Sequence, residues 1–217
     1  MMLIRAPGVY RPQADTRLLT RAYADAHIPP HRRVVDVCTG TGALAIAAAR
    51  FARSVTAVDI SRAALISAWL NCRLRGIDVE LLYGDFRTVL PGRTFDVMVC
   101  NPPYVPCWSD RPPRGGARSW DAGVDGRSAI DSLCRLAPEL LSETGTLLMV
   151  QSVLSGVDST LAVLRAAGMK AAAVARATIP FGPVLCSRAA WLVDTGQIQP
   201  GQRDEELVVI RADRSRQ

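Results

Sequence analysis

Short apolar runs alternate along this chain with stretches in which apolar residues recur at helical spacing. The runs predict strands at residues 33–38, 54–59, 78–83, 94–100 and 146–151, another near 171–179, and a last one at 206–211. The intervening stretches predict helices at residues 43–51, 61–76, 130–140 and 158–167, and a short one around 189–193. Strands that alternate with helices form β-α-β units. We therefore expect a Rossmann-like α/β fold whose seven-stranded, mostly parallel sheet has helices on both faces.

Two of the predicted helices carry further local signals. Ser61 is placed to cap the second helix, and Gly76 is expected to end it. The apolar stripe of that helix consists of Leu65, Ala68, Trp69 and Cys72. In the helix at 130–140, Pro138 is expected to break or kink the chain, because proline has no N–H and its ring clashes with the preceding turn.

The helical and strand patterns both fail between residues 105 and 127, where prolines and glycines are frequent. A connection of this length is unusual in a compact domain, so it is expected to be functional or mobile. It is either a substrate lid carrying Trp108 and Trp120 or a disordered insertion. We otherwise expect a single domain over residues 1–217, with residues 1–32 as an N-terminal segment ahead of the first strand.

Composition narrows the classes of protein that remain. A hydrophobic fraction of 49% and a charged fraction of 21% are typical of a soluble globular protein. The sequence has no run of eighteen apolar residues and no signal-peptide pattern, so we expect no membrane contact and a cytoplasmic location. Six scattered cysteines and two histidines do not have metal-ligand spacing, and no metal site is expected.

The net charge of +6 raises the possibility of a nucleic-acid partner. Lys170 is the only lysine, however, so 25 of the 26 basic residues are arginines spread along the whole chain. This distribution favours a compositional bias over a phosphate-binding patch.

A glycine-containing turn follows the first predicted strand. Gly40 and Gly42 allow a tight turn and a close approach of a ligand to the backbone, and they also fit a dinucleotide fingerprint. Asp36 distinguishes the two cofactors, because a carboxylate beside this turn repels a pyrophosphate but attracts an ammonium and a sulfonium. The charge favours S-adenosyl-L-methionine, whose product is S-adenosyl-L-homocysteine, over a nicotinamide dinucleotide.

Two more acidic residues follow the next two predicted strands. Asp59 is placed to accept hydrogen bonds from ribose hydroxyls, and Asp85 from an adenine amino group that Phe86 covers. A single aspartate at a strand end is often only a turn or helix cap. Three of them at successive strand ends share the edge at which open α/β sheets bind ligands.

The sequence Asn101-Pro102-Pro103-Tyr104 directly follows the fourth predicted strand. An amide or aromatic amino nitrogen is a poor nucleophile because its lone pair is delocalised. The Asn101 side-chain oxygen and the Pro102 carbonyl are placed to accept its two hydrogens, and the Tyr104 ring to stack against its plane. The motif therefore indicates methylation of a planar nitrogen.

These motifs together resemble one known family. Residues 35–42, Asp59, residues 84–86 and residues 101–104 resemble the HemK-type protein-glutamine N5-methyltransferases, which methylate the glutamine of the Gly-Gly-Gln motif in translation release factors. Residues 8–19 are similar to the pre-motif of that family, and residues 120–127 to the stretch after its catalytic loop.

The resemblance implies roles for particular residues. The cofactor would be held by Thr16, Asp36, Cys38 (through its backbone), Gly40, Gly42, Asp59, Asp85, Phe86 and Asn101. The substrate amide would be held by Asn101 and Pro102, beside Tyr104. Longer bacterial members carry a helical domain ahead of the pre-motif, whereas here the pre-motif begins at Gly8. The chain is therefore expected to be closer to the short branch, whose members can work with a small zinc-binding activator subunit.

Three functions remain open at this point. The first is N5-methylation of a protein glutamine, with a peptide-chain release factor as substrate. The second is N-methylation of an exocyclic amino group on a DNA or RNA base, which must be flipped out or single-stranded. The third is a non-catalytic, cofactor-binding regulatory subunit, which would have no need of Asn101 and Pro102.

Overall fold

A computed structural model describes residues 2–214, so the first and the last three residues of the expected 1–217 domain lie outside the described part. The strands are β1 (Arg33–Val37), β2 (Ser54–Asp59), β3 (Glu80–Tyr83), β4 (Phe95–Cys100), β5 (Leu141–Ser152), β6 (Met169–Pro180) and β7 (Asp204–Arg214). The helices are α1 (Ala14–Asp25), α2 (Ala43–Ala49), α3 (Arg62–Arg73), α4 (Phe86–Val89), α5 (Ser128–Leu140), α6 (Val157–Ala166) and α7 (Pro183–Asp194).

The strands of the described residues form one seven-stranded sheet in the order β3-β2-β1-β4-β5-β7-β6. The pairs from β3 through β5 are parallel, and β7 runs antiparallel to both β5 and β6. The order reverses between β1 and β4, and ligands bind at such switch points outside the carboxyl ends of parallel strands. The predicted Rossmann-like, mostly parallel sheet is confirmed.

The central strands are buried because helices cover the sheet. In β1, Val34, Val35 and Val37 are at most 1% exposed, as expected for parallel strands with near-continuous apolar sequence. The helices α1, α2 and α3 pack side by side, with α2 on β1 and β2, α3 on β2 and β3, and α1 on β5, β6 and β7. The helices α5 and α6 also pack side by side, with α5 on β5 and α6 on β6 and β7. This packing holds the ends of β1 to β4 in fixed positions.

Three local expectations need correction. Residues 14–25 form a helix, α1, that the sequence pattern did not predict. Trp69 is 52% exposed, although the other members of its expected stripe are buried, because α3 covers the narrow edge of the sheet at β2 and β3. The break expected at Pro138 does not occur, because α5 continues to Leu140 with Pro138 in its last turn. The Ser61 cap is present, and its hydroxyl accepts from the Ala64 N–H.

Within residues 2–214, none of the helices has both the length and the apolar character needed to cross a membrane.

Candidate active site

A cavity of about 360 Å³ opens at the carboxyl ends of β1 to β4. The predicted site residues in its wall are Thr16, Cys38, Gly40, Asp59, Asp85, Phe86, Asn101, Pro102 and Tyr104. The fold thus brings together side chains from four strand ends and from the start of α1. Asp36 and Gly42 lie behind this wall.

Asp36 is completely buried at the end of β1. Its Oδ2 accepts from the Thr39 hydroxyl at 2.6 Å and from the Ala45 N–H at 2.9 Å, so the carboxylate joins the glycine turn to the first turn of α2. Burial raises the pKa of Asp36 to about 7, against the effect of these two hydrogen bonds. The sequence analysis expected Asp36 to face the ligand directly. In the structure Asp36 lies behind the cavity wall, where its hydrogen bonds fix the shape of the turn.

Glycine is required at the two positions of the turn for different physical reasons. Gly40 has a φ of 56°, and nothing lies within 4 Å of the position of a Cβ. Gly42 has a φ of 79°, and a Cβ there would stand 3.1 Å from the backbone and side chain of Ala68 on α3. Gly40 therefore keeps the cavity wall open, whereas Gly42 allows α3 to pack against the turn.

Asp59 connects the ends of β1 and β2. Its Oδ2 accepts from the Gly40 N–H at 2.9 Å and its Oδ1 from the Ser61 N–H at 2.8 Å. Burial raises the pKa of Asp59, although these N–H groups act in the opposite direction. Its carboxylate stands in the cavity wall, where the expected ribose hydroxyls would reach it.

Asp85 combines two roles that the sequence offered as alternatives. It lines the cavity and also caps α4 by accepting from the Arg87 N–H. The Arg87 Nε donates to both carboxylate oxygens, at 2.9 and 3.0 Å, and this pairing lowers the pKa of Asp85. Phe86, the next residue, is half-buried beside it in the same wall.

The charges in the wall of the cavity suit a ligand that carries an ammonium or a sulfonium group. It contains four carboxylates, those of Asp15, Asp59, Asp85 and Asp121, against the guanidinium groups of Arg87 and Arg118. Behind it, the Oδ1 of Asp36 has no hydrogen-bond partner within the described part of the chain. A buried carboxylate oxygen without a donor is costly, and a nearby ammonium or sulfonium offsets that cost.

The Asn101–Tyr104 segment leaves the end of β4 and enters the cavity wall. The Asn101 Nδ2 donates to the Thr16 hydroxyl at 3.3 Å, and the Tyr104 hydroxyl donates to Asp15 at 3.2 Å. Tyr104 is 9% exposed, and burial, followed by the charge of Asp15, raises the pKa of its hydroxyl far above the ordinary value. The first and last residues of the segment are thereby attached to the N-terminal helix.

Three functional candidates near this segment escaped the sequence analysis. Asp15 and Tyr10 line the cavity, and Glu205 is buried close to both. Asp15 is adjacent to Thr16 in the pre-motif and could have been found there. Glu205 carries no local signal, because it reaches the site only when β7 pairs with β6.

The long connection after Tyr104 folds back on itself. The Val105 N–H donates to the Trp120 carbonyl at 2.8 Å, the Ala122 N–H to the Val105 carbonyl at 3.1 Å, and the Cys107 N–H to the Gly123 carbonyl at 2.9 Å. Gly126 has a φ of 71°, and a Cβ there would stand 2.4 Å from the Tyr104 carbonyl oxygen. Residues 120–126 are therefore packed directly against the segment that ends at Tyr104.

An ion pair between the buried Arg188 and the partly buried Asp121 joins this connection to α7. The Arg188 guanidinium donates to Asp121 at 2.6 Å and to the Pro106 carbonyl at 2.8 Å, and it lies 5.1 Å from the centre of the Trp108 ring. Trp108 also meets Trp191 edge to face at 6.4 Å. Asp121 lines the cavity, so α7 supports one wall of the site, a role that sequence reasoning missed.

Comparisons with known sequences agree on a family. The profile of the methyltransferase small domain matches residues 1–109. A putative protein N5-glutamine methyltransferase of Methanocaldococcus jannaschii is 30% identical over 185 residues, which cover 84% of this chain and 92% of that protein. A release factor glutamine methyltransferase of Mycolicibacterium smegmatis is 35% identical over 149 residues, 64% of this chain but 52% of that protein.

Two further comparisons bear on substrate and fold. The 4-amino-L-phenylalanine/4-methylamino-L-phenylalanine methyltransferase of Streptomyces pristinaespiralis is 33% identical over 196 residues, 82% of this chain and 65% of that protein. Among solved structures, that of the E. cuniculi Mtq2-Trm112 complex, described as responsible for methylation of the eRF1 termination factor, matches with a TM-score of 0.63 and 22% identity. That match covers 96% of this chain and 99% of the solved one, and it supports the fold.

Proposed function

Because this chain belongs to the methyltransferase small domain family, as an S-adenosylmethionine-dependent methyltransferase of the HemK type, we propose that it methylates the side-chain amide of a protein glutamine. The proposed acceptor is the glutamine of a Gly-Gly-Gln motif in a translation release factor. One observation carries the proposal: Asn101, Pro102 and Tyr104 stand in the same cavity wall as the carboxylates that suit the cofactor. Membership of an enzyme family also favours catalysis over a regulatory role.

In this proposal the cofactor is held by Thr16, Asp36, Cys38, Gly40, Gly42, Asp59, Asp85, Phe86 and Asn101. Asp59 accepts from the ribose hydroxyls, and Asp85 and Phe86 contact the adenine. Asp36 and Gly42 act from behind the wall, by fixing the turn and by supplying a negative charge. Cys38 contributes backbone at a φ of 61°, an unusual value for a residue other than glycine.

The reaction needs positioning more than acid-base chemistry. When bound, S-adenosylmethionine supplies the methyl group as a substituent of a sulfonium. Asn101 Oδ1 and the Pro102 carbonyl accept the two hydrogens of the substrate amide and direct its nitrogen towards the cofactor site. Such alignment can contribute roughly 7–11 kcal/mol to lowering a barrier. The buried Tyr104 ring limits movement of the amide out of its plane.

The test is methyl transfer from labelled cofactor to a release factor that carries Gly-Gly-Gln, with the Gln→Ala form of that factor as control. We expect label in the first protein alone, on the glutamine identified by mass spectrometry. Absence of transfer while the protein still binds S-adenosylhomocysteine would disprove the substrate assignment. Because the Mtq2 structure is of a complex with Trm112, the assay is repeated with a small activator subunit of that kind.

A second candidate acceptor is the amino group of an aromatic amine. It is favoured by the similarity to the 4-amino-L-phenylalanine methyltransferase, which covers more of this chain than the mycobacterial release factor enzyme does. The nitrogen is again planar, and Tyr104 and Trp120 offer rings beside it. Adding 4-amino-L-phenylalanine to the same assay separates the two candidates, since transfer to it and not to the release factor would favour the small molecule.

A third candidate, a nucleic-acid base, draws support from a second groove. The groove lies between α1 and α2 and joins the cavity at Pro12, Thr16 and Ala43. Its basic residues are Arg17, Arg21, Arg32 and Arg50. RNA binding that weakens steeply with salt, together with base methylation, would favour this candidate.

A further inference from the structure

One buried carboxylate connects both ends of the Asn101–Tyr104 segment. Asp15, at the start of α1, is 3% exposed. Its Oδ2 accepts from the hydroxyls of Tyr10 at 2.8 Å and Tyr104 at 3.2 Å. Its Oδ1 accepts from the N–H of Thr16 at 2.5 Å and from the Thr16 hydroxyl at 3.2 Å. The Thr16 hydroxyl oxygen in turn accepts from Asn101 Nδ2 at 3.3 Å.

The hydrogen-bonding capacity of these groups and the negative charge of Asp15 favour one arrangement. A carboxylate only accepts, so the single hydrogen of the Thr16 hydroxyl is directed to Asp15. The hydroxyl oxygen then presents lone pairs to Asn101, which must turn its NH₂ group towards Thr16. Its Oδ1 consequently faces away from Thr16. The reverse orientation of the amide would place two acceptor oxygens against each other without a hydrogen between them.

The hydroxyls of Tyr10 and Tyr104 also donate to Asp15 and do not accept from it. Burial, followed by the charge of Asp15, raises the pKa of Tyr10 and of Tyr104 far above the ordinary value, so both hydroxyls keep their hydrogens and donate. Burial also raises the pKa of Glu205, the carboxyl next to this cluster, and the charge of Asp15 adds to that effect. Asp15 is thus the acceptor for hydrogen bonds from Tyr10, Thr16 and Tyr104.

We propose that Asp15 is a positioning residue that fixes, through Thr16, the orientation of the Asn101 amide and, directly, the position of Tyr104. The inference rests on the proposed role of Asn101 as an acceptor for the substrate N–H and extends it. It also explains why Asp15 and Thr16 are adjacent in the sequence. The Asp15 carboxylate orients the Thr16 hydroxyl, and that hydroxyl orients the Asn101 amide.

The chain offers a direct measurement, because it contains two asparagines, Asn71 and Asn101. Protein grown with ¹⁵N-asparagine therefore gives two side-chain NH₂ signals in NMR spectra. Asn71 is an internal reference for the fold, since its Nδ2 donates to the carbonyls of Ile4 and Thr41 at 2.7 and 3.0 Å. The variants are Asp15→Ala and Thr16→Val. Thr20→Val is the matched control, since it removes a hydroxyl one turn further along α1 that bonds to the Thr16 carbonyl.

In Asp15→Ala and in Thr16→Val, we expect the Asn101 NH₂ protons to exchange with solvent about tenfold faster, the equivalent of one lost hydrogen bond. The Asn71 signals and the Thr20→Val spectrum should remain those of the native protein. Unchanged Asn101 signals in both variants would overturn the proposal. So would equal changes at Asn71 and Asn101, because Asp15 would then support the fold as a whole.

Activity provides a second readout that a purely structural role would not change in the same way. With a working acceptor, Asp15→Ala should lower kcat by about 10²-fold, the effect of a small misplacement of reacting groups, with little change in Kd for S-adenosylhomocysteine. Thr16→Ser should be at least about tenfold more active than Thr16→Val, because it keeps the hydroxyl. If no glutamine acceptor is methylated, only the proposed function fails, since the NMR result is obtained without a substrate.

Discussion

The two halves of the cavity are built from contacts of very different range. In the half that suits the cofactor, Asp36 bonds to a residue nine positions away, Asp59 to residues two and nineteen positions away, and Asp85 to a residue two positions away. In the half that carries Asn101 and Tyr104, the contacts join residues 85 and 89 positions apart. The Arg188–Asp121 pair spans 67 positions.

This difference predicts how the two halves respond to change. The cofactor half is assembled by short loops at neighbouring strand ends, so substitutions elsewhere should leave it intact. The acceptor half depends on α1, on residues 105–127 and on α7, which meet only after the sheet has formed. We therefore expect distant substitutions to affect acceptor use before they affect cofactor binding.

Arg188→Met is expected to give the largest difference between the effect on acceptor use and the effect on cofactor binding. The change leaves the partly buried carboxylate of Asp121 without its partner, and breaking an ion pair that is shielded from solvent costs up to about 3–5 kcal/mol. Urea unfolding should show that loss, and the KM for the acceptor should rise while the Kd for S-adenosylhomocysteine stays near the native value. Arg176→Met is the control, because its ion pair with Glu206 is half exposed and worth at most about 1 kcal/mol. Equal losses in the two variants would contradict the comparison.

Asn101→Ala tests the acceptor half at the reacting group itself. Removing one preorganised polar contact to the reacting atoms lowers kcat by about 10²–10³-fold in comparable sites. We expect that decrease in methyl transfer with a much smaller loss of cofactor affinity measured by calorimetry, because Asn101 is one of nine residues proposed to hold the cofactor. A variant that still turned over at the native rate would show that the amide oxygen of Asn101 takes no part.

Gly126→Ala tests whether residues 120–126 hold Tyr104 in place. The added Cβ would stand 2.4 Å from the Tyr104 carbonyl oxygen, so the two segments must separate. Gly168→Ala is the control, because Gly168 has a similar φ of 81° and an added Cβ there would have nothing within 4 Å. This control measures the conformational cost alone, about 1–2 kcal/mol. Gly126→Ala should be less stable than this control by about 1–3 kcal/mol and should lose transfer activity. Equal stability and activity of the two variants would count against the packing role.

The smallest expected effect is a pH dependence in the cofactor half. Burial raises the pKa of Asp36 from 3.8 to about 7. Between these values the unfolded chain binds fewer protons, so Asp36 makes the unliganded protein less stable as pH rises towards 7. A bound cation favours the ionised carboxylate. Cofactor affinity should therefore increase by about tenfold between pH 6 and pH 8.

Calorimetry at the two pH values measures that increase, and Asp36→Asn should remove it. Asp59 provides the internal check, because burial also raises its pKa. If the dependence persisted unchanged in Asp36→Asn, it would have to come from Asp59 or from another group, and the assignment to Asp36 would be incorrect.

Sequence reasoning succeeded where a pattern is local. The apolar periodicity located all seven strands of the described residues and the helices α2, α3, α5 and α6, because burial on one or both faces dictates that periodicity. It placed the start of β5 five residues late and the start of α7 six residues late, and it did not predict the short α4. It missed α1, because this helix carries only a short apolar stripe, Leu18, Leu19 and Ala22, and begins without a side-chain cap. It placed Trp69 in the core, because periodicity does not tell how wide a face the sheet can cover at its edge.

The sequence by itself determined the α/β class, the positions of the acidic strand ends and the Asn101–Tyr104 motif. These depend on residue types at short spacing, and parallel strands necessarily bring their carboxyl ends to one edge. Only the tertiary structure decided that Asp36 stands behind the cavity, that Asp15 bonds to Tyr104, and that Arg188 supports Asp121. The Asp15–Tyr104 and Arg188–Asp121 contacts join residues 89 and 67 positions apart, and the position of Asp36 follows from how the start of α2 packs against the end of β1.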